Sequence, residues 1–191
     1  LSITDLIVSD PNFSILEAAI VKAGLSDALA TTNPLTVFAP DNAAFAASGI
    51  TEAAIAALPV TAVDSILKYH VLAGFVTSTS VPVSDAVNPL IGIKLFASRN
   101  VNGVFMNGNK IKQADISASN GVMHVIEKVL IPPTKTIAQL AAADTSFSFL
   151  VTAVTKVGLL PAISGPGKFT VFAPTNAAFR AAGITDINAV P

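Results

Sequence analysis

Leu35-Thr36-Val37-Phe38-Ala39-Pro40-Asp41-Asn42-Ala43-Ala44-Phe45 returns further along the chain as Phe169-Thr170-Val171-Phe172-Ala173-Pro174-Thr175-Asn176-Ala177-Ala178-Phe179. Each copy reads as a short alternating strand stopped at proline, followed by a helix whose first apolar anchor is Phe45 or Phe179. After the proline a single position differs, where Asp41 is exchanged for Thr175. Both side chains carry an oxygen that accepts a hydrogen bond from an orphan helix N–H, which fits an N-cap. A catalytic acid would lose its chemistry on becoming threonine, so the comparison predicts a structural Asp41.

At the same offset Leu6 maps onto Leu140, Asp10 onto Asp144, Phe13 onto Phe147, Gly24 onto Gly158 and Gly49 onto Gly183. The copies therefore share one fold. They part by a two-residue gap after Thr51 and Thr185. The expected organisation is one complete unit over residues 1–133, a linker at 134–135, and the N-terminal part of a second unit over 136–191. The first residue, Leu1, suggests a mature or trimmed product, and the half repeat suggests a longer parent.

Hydrophobic residues make up 52% of the chain and charged residues 12%, yet charges, prolines and polar residues interrupt every window before the roughly 18 apolar residues that a spanning helix needs. No membrane-spanning segment is expected. A net charge of −1 without a lysine or arginine cluster removes the electrostatic footprint of a nucleic-acid binder. With no cysteine, disulfides, thiol nucleophiles and cysteine-held metals are excluded together.

Ser2-Ile3-Thr4-Asp5 has capping-box spacing, and Asp10-Pro11 starts a second helix with Phe13, Leu16, Ile20 and Ala23 on one face. Gly24-Leu25 should stop it. Thr136 to Gln139 and Phe147, Leu150, Val154 and Val157 repeat the plan. Gly49-Ile50 ends the helix that carries Phe45, and Thr51 caps an alanine-rich helix ended by Pro59. Thr61 caps the next, which is expected to run into an extended Tyr69-His70-Val71-Leu72. From Phe75 the period turns towards two, and Asn88-Pro89, Asn102-Gly103, Asn107-Gly108 and Asn120-Gly121 mark turns. Leu95–Ser98, Val101–Met106 and Lys110–Ile111 read as a meander, and Val122 to Ile131 as a long closing strand that Pro132-Pro133 ends.

Four motifs then stand in order: Thr-Val-Phe-Ala-Pro with its helix, Tyr69-His70, Ala114-Asp115-Ile116, and Asn120-Gly121-Val122-Met123-His124-Val125-Ile126-Glu127-Lys128-Val129-Leu130. The chain resembles the fasciclin domain family over 1–133 and again from Thr136 to Pro191, with Met123 and Glu127 as conservative departures. The resemblance implies an α+β fold, a fasciclin-like wedge in which a compact mixed sheet is flanked by several short helices. It also implies a secreted or cell-surface adhesion protein that binds protein, matrix or surface polysaccharide. In adhesive members the matching tyrosine-histidine and aspartate-isoleucine pairs are binding determinants, here Tyr69, His70, Asp115 and Ile116. A structural reading competes: His70 and His124 as hydrogen-bonded core residues, Asp115 as a turn residue.

No enzyme chemistry stands out. The two histidines have no flanking ligand of zinc-like spacing, no serine sits in a nucleophile elbow, and Gly165-Pro166-Gly167 precedes a strand and reads as a loop. Asp85, Asp115 and Glu127 show no pairing that suggests a cleft. No cofactor and no metal are expected. Asn12-Phe13-Ser14 is a glycosylation sequon in a first helical turn, where no glycan is expected. The alternative function is a carrier of a small apolar ligand, a pigment or lipid, between helices and sheet. The half repeat, with strand 169–174 expected to lack partners, suggests possible self-association.

Overall fold

In the computed structural model, which describes residues 1–32, 34–165 and 169–190, the chain divides into two units, Leu1–Pro132 and Pro133–Pro191. The first opens with α1 (Ile3–Ser9), where the capping box forms: Ser2 Oγ accepts from Asp5 N–H at 3.1 Å, and the Asp5 carboxylate accepts from Ser2 N–H at 2.7 Å. Asp10 caps a 3-10 turn at Pro11–Phe13, and α2 (Ser14–Ala23) follows. At its end Gly24 takes φ 67°, which glycine adopts without steric cost, and Leu25 N–H bonds back to Ile20 O. After α3 (Ser26–Thr31) and β1 (Leu35–Pro40), Asp41 accepts from Ala44 N–H at 2.7 Å and starts α4 (Asn42–Ala47). Thr51 does the same for α5 (Glu52–Ala57), and α6 (Val60–Tyr69) leads to the rest of the sheet.

Seven strands are ordered β2-β1-β7-β6-β5-β4-β3, with β2 (Val71–Ala73), β3 (Ser84–Val87), β4 (Leu95–Asn100), β5 (Gly103–Met106), β6 (Asn109–Ala118) and β7 (Gly121–Ile126). β1 and β7 run parallel, and the other neighbours are antiparallel. Both central strands are buried throughout, so each feeds a core on either face. Leu35, Val37 and Ala39 join the helical core with Phe13, Leu16, Ile20, Phe45 and Met123. Phe38, on the opposite face, joins Tyr69, Leu95, Met106, Ile126 and Leu130. This is the strand alternation of period two put to use on two layers.

The parallel pair is tightly apposed where β7 begins. A Cβ on Gly121 would stand 1.9 Å from the Leu35 carbonyl oxygen, a contact that only backbone movement relieves. Gly121→Ala is therefore expected to cost about 3 kcal/mol by displacing β1. Denaturant unfolding checks this, and an unchanged midpoint would contradict it.

Several elements differ from the sequence expectation. α6 starts at Val60 on the Pro59 carbonyl, with Ala62 N–H and Val63 N–H both bonding to it, so Thr61 caps nothing. Tyr69-His70 is not extended: Tyr69 ends α6, and His70 is its αR cap, because the His70 ring bonds to the Ile66 carbonyl one turn back. The closing strand stops at Ile126. Beyond it, Val129 N–H is taken by Ser48 Oγ and Leu130 N–H by the His70 ring, which draws the chain out of the ladder. β3 was not anticipated, and β6 is far longer than Lys110–Ile111 because a bulge around Asp115 lets it continue to Ala118.

In the second unit α7 (Ile137–Ala143) carries the Thr136–Gln139 box, followed by α8 (Ser148–Lys156), α9 (Leu160–Ser164) and α10 (Asn176–Ala181), where Thr175 caps through Ala178 N–H. Side-chain braces recur as well. Asn42 accepts from Ile15 N–H and donates to Ser14 Oγ and Pro11 O, and Asn176 does the same with Phe149, Ser148 and Thr145. Lys22 donates to the carbonyls of Ile55 and Ala56, and Lys156 to those of Asn188 and Val190. The strand expected over 169–174 does not form. β1 is held between β2 and β7, whereas 169–174 has no strand beside it among the described residues, and Phe172 is 92% exposed where Phe38 is fully buried. The loop expected at Gly165-Pro166-Gly167 extends into residues outside those described.

Candidate functional site

The four residues singled out by motif fall into two groups. Tyr69 and His70 are interior, with 1% and 2% of their surface exposed. Tyr69 Oη donates to Lys94 O at 2.9 Å and accepts from Asn107 Nδ2 at 2.9 Å, so it ties the end of α6 to the β4–β5–β6 meander. The His70 ring lies 2.8 Å from Ile66 O through Nδ1 and 2.9 Å from Leu130 N through Nε2. A carbonyl only accepts and an N–H only donates, so the proton sits on Nδ1 and Nε2 is the acceptor. Burial pushes the pKa down to about 4, against a smaller upward pull from the Ile66 carbonyl. The ring is therefore neutral, and the pair acts as a joint between helix, meander and closing segment.

Asp115 lies at the surface, and Ile116 beside it is half-buried against the helical core. Asp115 occupies the bulge in β6 with φ 60°, a left-handed conformation that aspartate tolerates better than most residues. Its carboxylate accepts from Ser78 N–H at 2.8 Å and from Ser78 Oγ at 2.5 Å. Its own N–H donates to His124 Nδ1 at 3.1 Å, and His124 Nε2 faces Val76 O at 2.9 Å, which places the His124 proton on Nε2. Thr36 completes the fastening by donating to Gly74 O and accepting from Val76 N–H. The segment from Gly74 to Ser78 is thus pinned to the sheet at three points. Partial desolvation opposes the Asp115 charge, but the two Ser78 hydrogen bonds and the nearby His124 outweigh it and hold the carboxyl below the usual carboxylate range. His124 is fully buried, stacked on Phe38, and burial lowers its pKa despite the opposing pulls of Val76 O and Asp115.

Ile116 is half-buried at the side of an open groove of about 390 Å3 with Leu6, Phe13, Met123 and Val125 below it and Asp10, Asp41 and Gln113 along the rim. Lys112 Nζ pairs with Asp41 at 2.5 Å, which sets a cation beside the groove-lining Asp41. Sequence reasoning singles out Asp115 and Ile116 but not Ser78, Thr36 or Lys112, whose contacts join chain segments far apart in sequence. A separate apolar hollow of about 110 Å3 lies between α2, α3, β1 and α6, walled by Leu16, Ile20, Leu25, Leu29 and Val37. Their counterparts Leu150, Val154, Leu159, Ile163 and Val171 enclose about 100 Å3 in the second unit. Among the described residues no three His, Cys, Asp or Glu side chains cluster as metal ligands, and no single helix is long and apolar enough to cross a membrane.

The Fasciclin domain family matches residues 11–132 and 145–190. The chain is similar to the protein sll1483 of Synechocystis, at 38% identity over 70% of this chain and 74% of that protein. It is also similar to human periostin, at 32% identity over 93% of this chain but only 21% of periostin's length. Among solved structures it shares its fold with a FAS1 domain pair from the insect cell adhesion molecule fasciclin I, with a TM-score of 0.51 at 18% identity over 89% of this chain and 62% of that one. On sequence and on fold alike, the chain belongs to the fasciclin domain family.

Proposed function

We propose that the chain is a non-enzymatic adhesion module, extracellular or at a cell surface, which binds protein, matrix or surface polysaccharide through the ledge formed by Asp115 and Ile116. The observation that carries this reading is the construction of the ledge: a bulge held by Ser78 and His124 presents a branched apolar side chain beside a groove lined by Asp10 and Asp41, the latter paired with Lys112. A pre-ordered surface loses little entropy on binding, which favours recognition by shallow contact. Tyr69 and His70 contribute as positioning residues, since neither reaches the surface. The adhesion molecule among the structural neighbours supports the same reading.

A pigment or lipid carrier between helices and sheet has less support. The hollow of about 110 Å3 is well below the roughly 300–1,000 Å3 that drug-sized ligands occupy. The test is surface binding to three immobilised probes: type I collagen, heparin and the chain itself. Ile116→Ser is expected to weaken the productive pairing about tenfold, the loss of one apolar anchor, with a modest fall in melting temperature because Ile116 also packs against the helical core. Binding to none of the three, or an Ile116→Ser variant that binds like the parent, would overturn the proposal.

A further inference from the structure

Three asparagines precede glycine, at Asn102, Asn107 and Asn120, and the fold treats them differently. In such a pair the glycine backbone nitrogen, after losing its proton, attacks the asparagine Cγ. A new C–N bond forms, the C–NH2 bond breaks, ammonia leaves, and a five-membered succinimide results. Water then opens the ring to aspartate or isoaspartate, with no change of oxidation state. The attack needs a side chain free to rotate onto the following backbone nitrogen.

Asn120 does not meet this condition. It is 5% exposed, its Oδ1 accepts from Ile3 N–H at 2.9 Å, and its Nδ2 donates to Leu29 O at 2.6 Å and to Ala30 O and Thr32 O at 3.3 Å. Asn107 is held at both side-chain atoms, Oδ1 by Phe96 N–H at 2.8 Å and Nδ2 by Tyr69 Oη at 2.9 Å, with its backbone at φ 47°. Asn102 is exposed at the tip of the β4–β5 hairpin beside the fully exposed Val101, and its side chain makes no hydrogen bond among the described residues. Lys110 lies against the attacking residue, its Cε 3.2 Å from where a Gly103 Cβ would stand. A cationic side chain there favours the amide anion that makes the attack.

We propose that Asn102 is a spontaneous deamidation site of the folded protein, converting to aspartate and isoaspartate, while Asn107 and Asn120 are preserved by the fold and convert only from opened states. The product adds a negative charge at the hairpin tip next to Lys110, and the isoaspartate form lengthens the turn by one backbone methylene.

The experiment incubates the intact, folded chain in mildly alkaline buffer and follows each site by peptide mapping. Fragment-ion localisation is required, because Asn102 and Asn107 share the tryptic peptide that runs from Asn100 to Lys110. An isoaspartate-specific methyltransferase confirms the product. Asn102 is expected to convert at least about tenfold faster than Asn107 and Asn120, whose reaction waits on local or global opening, and the three rates should converge in urea. Equal rates in the folded chain, or no conversion of Asn102, would overturn the proposal. Lys110→Gln is expected to slow Asn102 without changing the urea rates; an unchanged folded-state rate would remove the lysine from the account.

Discussion

Asn120→Asp is expected to destabilise the first unit by about 4 kcal/mol, the scale of an uncompensated buried charge. Asn120 joins three segments far apart in sequence: the start of α1 through Ile3 N–H, the end of α3 through three carbonyls, and the turn into β7. The α3 carbonyls have no further helical turn to bond to, so the amide Nδ2 serves as their cap. Aspartate keeps the shape but sets a carboxylate oxygen against those carbonyls. Asn120→Ala removes the conflict but leaves the Ile3 N–H and Leu29 C=O without partners, for a loss of about 3 kcal/mol. Urea unfolding of both variants gives the comparison. The order is diagnostic: if aspartate were tolerated as well as the parent residue, the amide would not be the cap described here.

Acid is expected to weaken the fold through its buried histidines as the pH falls below 6.5. His70 has a folded pKa of about 4 against an ordinary value of 6.5, so the unfolded chain takes up its proton first. The contribution is whole above pH 6.5, falls as the pH drops from there towards 4, and levels off below. A gap of this size amounts to about 3 kcal/mol. His124 is lowered as well and acts in the same direction. The Asp115 carboxyl, also held low, adds its loss only as the pH falls below the carboxylate range. Protonation does specific damage, since both rings accept a backbone N–H, from Leu130 and from Asp115, and a protonated ring has no lone pair to offer. Unfolding free energy measured across this window checks the prediction. His70→Gln, which can still accept from Leu130 and donate to Ile66, should flatten the profile. A parent protein equally stable across the whole window would contradict it.

Much of the helical layer was legible because helix ends are written locally. Ser2 with Asp5, Thr136 with Gln139, Gly24 and Gly49 each act within a few residues, and the exchange of Asp41 for Thr175 identified a cap through the repeat alone. What escaped were arrangements fixed across the chain. Tyr69-His70 reads as extended because tyrosine and the following Val71 favour strands, yet the bond from His70 to Ile66 keeps the pair on the helix end. Asn120-Gly121 read as a turn, which it is, but nothing local announced that the amide caps α3 or that Gly121 must clear Leu35 O. Residues 169–174 repeat β1 almost letter for letter and still form no strand, because a strand is completed by its neighbours. For the candidate site, Asp115 and Ile116 came from the family motif, whereas the bulge that exposes them needed His124 and Ser78 in place.

The division of labour between an internal joint at Tyr69-His70 and an outer ledge at Asp115-Ile116 is tested most directly by measuring folding and adhesion together. Cell attachment to surfaces coated with the chain, and the melting temperature of the same preparations, are compared for Ile116→Ser and His70→Ala. The account predicts that Ile116→Ser loses attachment well beyond its loss of folded protein, and that His70→Ala loses attachment only in proportion to its loss of folded protein. Full attachment by Ile116→Ser, or loss of attachment by a fully folded His70→Ala, would contradict it.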